Sequence, residues 1–172
     1  MKPRMGTLGR VWIIALGLSA CGPSSGMPGV VQTDPAREAE VLGLVNQARS
    51  AAARCGDRMF AAVAPLTLHP QLANSARVHS VDMATRDYFE HDTPEGVTPT
   101  QRMVAAGYTA LPNAENIAGG SPSATTTVAQ WMASPGHCAS IMNGELRSLG
   151  VGYAFRTDTR LRHYWTLNFG AR

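Results

Sequence analysis

The 172-residue chain is long enough for one domain with a substantial hydrophobic core. It has 15 basic and 12 acidic residues, but three of the basic residues lie among the first ten, so the remainder is formally neutral. Its remaining cations are all arginines and are scattered, which excludes the clustered basic face that nucleic-acid binding requires.

Residues 1–20 have the pattern of an export signal. Lys2, Arg4 and Arg10 form a positive n-region, and residues 11–18 form an apolar run that is too short to span a bilayer as a mature helix. The sequence Leu-Ser-Ala-Cys at 18–21 resembles the lipobox of bacterial lipoproteins. This resemblance implies cleavage before Cys21, lipidation of its thiol, and anchoring in a bacterial membrane, the outer membrane if the cell is Gram-negative. An ordinary secretory signal with a cysteine near its cleavage site is the alternative.

Residues 21–33 predict a flexible, lipidated tether. They are small and polar, and Pro23 and Pro28 interrupt them. A coil of this length spans roughly 20 Å, so the domain at 34–172 is expected to stay close to the membrane that holds Cys21.

Four main helices are predicted in the domain. They run from Asp34 to Gly56, from about Pro70 to Arg86, from Thr98 to Gly107 and from Thr125 to Ala133. Asp34 with Pro35 provides a cap and first position, and Thr98 with Gln101 forms a capping-box pattern. His79 falls on an apolar face of the second helix, where a core histidine with one hydrogen bond is favoured over a site residue.

Two strands are predicted near the C-terminus. Large residues alternate with small or polar ones in 149–155 and in 162–170, and residues 157–160 supply the turn of an antiparallel hairpin. Helices that precede a terminal hairpin favour an α+β fold, with a sheet covered by helices, over a helical bundle.

The stretch 115–142 has the features of a candidate site. Glu115 lies on a short extended segment before Gly119 and Gly120, where the chain can turn. His137 follows Ser134 and Pro135, which are the N-cap and first position of a short helix. A capped helix start with no site function is the alternative interpretation.

Several motifs in this order and spacing resemble bacterial members of the CAP superfamily. They are HSVDMATRDYFEHDTPEG, AENIAGG, VAQWMASPGHCASIM and SLGVGYA with a closing YWTLNFG. The superfamily includes cysteine-rich secretory proteins, venom antigens and plant pathogenesis-related proteins. The resemblance covers nearly all of 34–172 and implies an α-β-α sandwich with a central, mainly antiparallel sheet.

The family's cavity carries two histidines and two acids. Matched by motif, they fall on His91, Glu115 and His137, while the second acid would fall at Ser134, where this chain departs from the pattern. Two imidazoles and a carboxylate could bind a divalent metal such as zinc, although no cofactor is required. A hydrogen-bonded arrangement that only holds the loops in place is the alternative, because no two of the three residues have metal-motif spacing.

The cysteines fit an exported protein. With Cys21 taken by lipid, Cys55 and Cys138 are predicted to form a disulfide between the end of the first helix and the turn that carries His137. A pair of free reactive thiols is the alternative, but the chain lacks a CxxC motif.

Two functions of different classes are compatible with the residues. The favoured one is a non-enzymatic module whose groove around His91, Glu115, Ser134 and His137 binds a lipid, an envelope component or, weakly, a metal. The other is a hydrolase that uses a metal-activated water, or Ser134 as nucleophile with His137 as base and Glu115 orienting it. No Gly-x-Ser-x-Gly motif surrounds Ser134, which favours binding.

Overall fold

The computed structural model describes residues 29–111 and 113–171, and nothing is stated about the side chain of Asn113. The export signal, the lipidation site at Cys21 and most of the tether are therefore predictions that lie outside the described residues. None of the helices in the described part is long and apolar enough to cross a membrane.

The described part contains a sheet with helices on both faces. The helices are α1 (Pro35–Arg49), α2 (Pro70–Arg86), α3 (Pro99–Ala105), α4 (Ala124–Ala133) and α5 (Pro135–Ile141). The strands are β1 (Ala53–Cys55), β2 (Arg58–Phe60), β3 (Thr67–Leu68), β4 (Asn113–Gly119), β5 (Ser148–Phe155) and β6 (His163–Gly170).

The main sheet has the strand order β3, β5, β6, β4. The predicted hairpin of β5 and β6 is confirmed, β4 runs antiparallel to β6, and β3 pairs in parallel with β5. Helix α2 covers one face, while α1 and α4 cover the other and α5 packs beside β4. The predicted α-β-α sandwich with a mainly antiparallel sheet is confirmed.

The alternation of residue size in β5 determines how α2 packs. A Cβ atom at Gly150 would lie 2.0 Å from the backbone carbon of Leu72, and one at Gly152 would lie 2.2 Å from that of Ala76. Because only glycine allows this approach, α2 lies directly on the strand. The large residues of β5 point to the opposite face and form the main core, where Val151 is 1% exposed.

The predicted starts of the first three helices are confirmed, and the fourth begins one residue earlier than predicted, at Ala124. The predicted end of the first helix is wrong. Asp34 caps α1 through its side chain, and Thr98 and Gln101 form the capping box of α3. Helix α1 ends at Arg49, whose buried guanidinium donates to the carbonyls of Ala64 and Leu146, among others. These contacts hold the C-terminal end of α1, and the helix stops at its C-cap, Ser50. Gly56, which was predicted to end the helix, instead lies in the β1–β2 turn with φ +60°.

The predicted disulfide is confirmed. Cys55 and Cys138 are bonded, with their Cα atoms 5.4 Å apart and a separation of 83 residues in sequence. Because α1 ends early, the disulfide joins β1, rather than the end of the first helix, to α5.

Candidate functional site

Glu115 is the central residue of the candidate site. It lies on β4 opposite Asn168 of β6, and its side chain is 2% exposed. Its Oε1 accepts a hydrogen bond of 2.9 Å from Nδ1 of His91, and its Oε2 accepts one of 2.7 Å from Nη2 of Arg102. With its amide oriented to satisfy Ser75, Asn168 also donates to Oε2 at 3.0 Å. Both carboxylate oxygens are therefore occupied.

Arg102 is a site residue that the sequence analysis missed. It lies on α3, is 8% exposed, and donates to the carbonyl of Val97 as well as to Glu115. A buried carboxylate is stable as an anion only when a cation or several donors accompany it. The sequence could have indicated only that a buried Glu115 needs a cationic partner. The spacing of the arginines did not show that this partner is Arg102.

His91 lies on the exposed side of Glu115. Its side chain is 48% exposed, and its Nδ1 is held by the carboxylate, so Nε2 is left for solvent or a ligand. The hydrogen bond to Glu115 raises the pKa of His91, although partial burial opposes this effect.

His79 supports the segment that carries His91. Its Nε2 donates to the carbonyl of Glu90 at 3.1 Å and lies 4.0 Å from Oε1 of Glu115. Burial lowers the pKa of His79, despite the opposing effect of Glu115, so the neutral ring is favoured. The predicted core position of His79 is confirmed, but its ring makes two hydrogen bonds rather than one, since its Nδ1 also accepts one of 3.4 Å from the hydroxyl of Tyr88. The bond to Glu90 fixes the residue that precedes His91.

His137 approaches from the other face of the sheet. Its carbonyl accepts a hydrogen bond of 3.1 Å from the side chain of Asn116 on β4, which fastens α5 to the strand. Within the described part of the chain, its half-buried ring makes no hydrogen bond. Burial and the neighbouring His91 lower the pKa of His137. The two imidazoles therefore have pKa values shifted in opposite directions.

Ser134 occupies the predicted N-cap position of α5, but its side chain makes no capping hydrogen bond. Among residues 29–111 and 113–171, no hydrogen bond joins its hydroxyl to His137. The nucleophile and base of the hydrolase hypothesis are thus not paired in this conformation.

Whether the site could bind a metal depends on which side-chain atoms are not already engaged in hydrogen bonds. No group of three or more His, Cys, Asp or Glu side chains among the described residues could hold a metal ion. Glu115 does not fit the role of a direct ligand, because both of its oxygens accept hydrogen bonds and the Arg102 cation lies 2.7 Å away. The ligands that remain are Nε2 of His91 and the ring of His137.

One cavity lies beside His91, and a second reaches β4 at Ala114. One has a volume of about 410 Å³ and is lined by the segment from Tyr88 to Pro94, including His91 and the acids Glu90 and Asp92. The other has a volume of about 340 Å³ and is lined by Ala114 together with residues of β2 and of the α5 region.

The α-β-α sandwich, with His91 and a buried Glu115 at one edge of its sheet, has the architecture expected of a CAP domain. The family model for CAP, the cysteine-rich secretory protein family, matches residues 42–169. The chain belongs to this family.

Several bacterial proteins are similar to the chain in sequence or in structure. The chain is 35% identical to the Bacillus subtilis (strain 168) protein YkwD over 97 residues, which is 56% of this chain and 38% of YkwD. An extracellular protein containing a SCP domain from Bacillus anthracis is 27% identical, with a TM-score of 0.66 over 81% of this chain and 41% of that one. An outer surface protein from Borrelia burgdorferi is 17% identical, with a TM-score of 0.67 over 83% of this chain and 99% of that one, and it supports the fold alone. The chain thus spans about two fifths of the first two proteins.

Proposed function

We propose that this chain is an exported CAP domain that binds a component of the cell envelope in the groove between His91 and His137 and performs no catalysis there. The occupied carboxylate of Glu115 is the observation that carries this proposal. A general base needs an oxygen that can reach the proton it removes. Glu115 instead holds one ring nitrogen of His91 and directs the other outward.

The groove offers the chemistry of a polar binding site. The exposed Nε2 of His91 accepts a hydrogen bond when the ring is neutral and donates one when it is protonated. Glu90 and Asp92 line the adjacent cavity and add negative charge. These groups favour a ligand with amide, hydroxyl or amino groups, such as the polar part of an envelope lipid, glycan or peptide.

The export signal and the Leu-Ser-Ala-Cys sequence support an anchored location. A lipidated Cys21 and a tether that spans roughly 20 Å would keep the groove beside the membrane, where envelope components are concentrated.

The test is to identify what the groove retains. The full-length chain, extracted from the envelope in mild detergent, should carry a bound component detectable by mass spectrometry. The double variant His91→Ala/His137→Ala should lose it, while Arg160→Ala, an exposed change in the β5–β6 turn, should retain it. Equal retention by the double variant would contradict binding in this groove.

Weak binding of a divalent metal is a second candidate function, favoured by the hydrogen bond between His91 and Glu115. A metal-binding histidine commonly donates its other ring nitrogen to a carboxylate, as His91 does here. Two imidazoles leave a zinc site incomplete, so Ser134→Glu, which adds a carboxylate one helical turn before His137, should tighten zinc binding. Calorimetry should show the affinity for zinc falling as the pH is lowered, because protons compete with the metal for the two rings. The same pH-insensitive heat for wild type, Ser134→Glu and His137→Ala would exclude the metal.

A further inference from the structure

Strand β4 is an edge of the main sheet, and its hydrogen-bonding direction is fixed by two contacts. The amide of Gly120 donates to the carbonyl of His163, so the backbone N–H and C=O groups of the even-numbered residues in this segment point toward β6. The indole of Trp131 donates to the carbonyl of Ile117, which must therefore face away from β6. Because the direction alternates along a strand, the N–H and C=O of Glu115 also point away from the sheet.

The backbone of Glu115 is accessible at this edge. The residue as a whole is partly exposed although its side chain is only 2% exposed, so its exposed surface belongs to the main chain. Toward the C-terminal end of β4, Trp131 covers the edge at Ile117. The open stretch of the edge therefore ends near Glu115.

The outer side of β5 provides a contrast. The carboxylate of Glu38 accepts from the amide of Tyr153, and Gln32 pairs with Phe155 through two backbone hydrogen bonds. Strand β3 pairs with the other end of β5, at Ser148 and Leu149. Exposed edges are usually covered in this way because they invite pairing with another chain. The edge at Glu115 lacks such cover within the described residues.

The two cavities beside the site lie on opposite faces of the sheet at this point. The larger one is lined by His91, which bonds to the side chain of Glu115, and the smaller one is lined by Ala114. Successive side chains of a strand point to opposite faces. A strand added beside Glu115 would therefore direct alternate side chains to the face that carries His91 and to the face that carries Ala114.

We propose that the ligand of the groove is an extended peptide that adds to the edge of β4 as a further strand. This inference rests on the proposed function of the groove as a binding site, and it names the class of ligand. The N–H and C=O of Glu115 bond to the peptide backbone, which is the usual source of affinity in strand addition. Glu90 and Asp92, which line the larger cavity, select a basic side chain.

The probe is a set of short peptides selected from a random displayed library against the full-length chain. Their backbone amides are then methylated one at a time. Methylation of the amides that face β4 should weaken binding by about tenfold or more, because it removes a hydrogen bond and inserts a methyl group between the strands. Methylation of the intervening amides should have much less effect. A uniform response along the peptide, or no selected peptide at all, would overturn the proposal.

A protein variant provides the second measurement. The backbone N–H of residue 113 points away from β6, as that of Glu115 does. Asn113→Pro therefore removes a backbone donor from this edge without removing one that bonds to β6. It should weaken peptide binding, while the matched control Asn113→Ala keeps the amide and should not. Equal affinities for the two variants would contradict strand addition.

Two further results would overturn the inference in distinguishable ways. If the groove retains an envelope component through its histidines but binds no peptide, the inference fails and the proposed function stands. If sedimentation shows a dimer of the wild-type chain that Asn113→Pro dissociates, the strand on this edge is a second copy of the protein.

Discussion

Replacing Arg102 with methionine tests whether Glu115 is held as a buried anion. Methionine is unbranched, flexible and uncharged, so Arg102→Met removes the cation while keeping the packing of the arginine stem. Loss of one partner from a buried ion pair typically costs about 3–5 kcal/mol. The lower limit applies here, because His91 and Asn168 still donate to the carboxylate. We therefore expect a loss of about 3 kcal/mol, which lowers the melting temperature of a domain of this size by about 10 °C.

The assay is urea unfolding at neutral pH, with Arg86→Met as the control. Arg86 pairs with Asp82 and Glu95 on the surface, where ion pairs contribute little, so its midpoint should hardly change. The double variant Arg102→Met/Glu115→Gln completes a cycle and should be more stable than Arg102→Met alone, since it no longer buries an unpaired charge. If Arg102→Met behaves like Arg86→Met, or if the two changes at the pair are simply additive, the carboxylate is not held as we describe.

Three other changes test separate parts of the account. Cys21→Ser should abolish partitioning of the protein into detergent, because the lipidated thiol is lost; unchanged partitioning would exclude lipidation. Cys138→Ser should lower the free energy of unfolding by about 4.5 kcal/mol in the chain-entropy model, since the loop closed with Cys55 is long, and a wild-type midpoint in urea would contradict this. His91→Gln should destabilise the protein more at pH ~5.5 than at pH ~8 in the same assay, because the pKa of His91 is raised in the folded state. The stabilisation from protonated His91 is fully present below its unfolded pKa of ~6.5 and is lost as the pH rises through the folded value, so a constant difference would refute the link to Glu115.

Much of the fold could be predicted because its signals are local. Caps and helical periodicity located the starts of α1 and α3, and strict alternation located β5 and β6. The short strands β1, β2 and β3 were missed because two or three residues show no periodicity, and their pairing depends on tertiary contacts. The end of α1 was misplaced for a related reason, since the carbonyls that hold Arg49 come from distant loops.

The site was only partly predictable. The positions of His91, Glu115 and His137 came from resemblance to the CAP family, because their spacing carries no local signal. The structure adds the partners of the carboxylate, Arg102 and Asn168, which arrive from α3 and β6. Such partners are fixed by strand register and helix packing, and single-sequence patterns do not report either of these.

The geometry of Glu115 also explains how the groove can tolerate serine at position 134, where the family resemblance implies an acid. Arg102 already neutralises Glu115, so, among the residues that the structure describes, the buried part of the groove offers no uncompensated negative charge to a dication. A second carboxylate would supply that charge, and Ser134 does not. The groups that remain at the surface are the outward nitrogen of His91, the ring of His137 and the main chain of Glu115. Each of these can exchange a hydrogen bond with a peptide backbone or side chain, whereas only the two rings can bind a metal. Loss of the acid therefore weakens a metal site far more than it weakens a peptide site on the same edge.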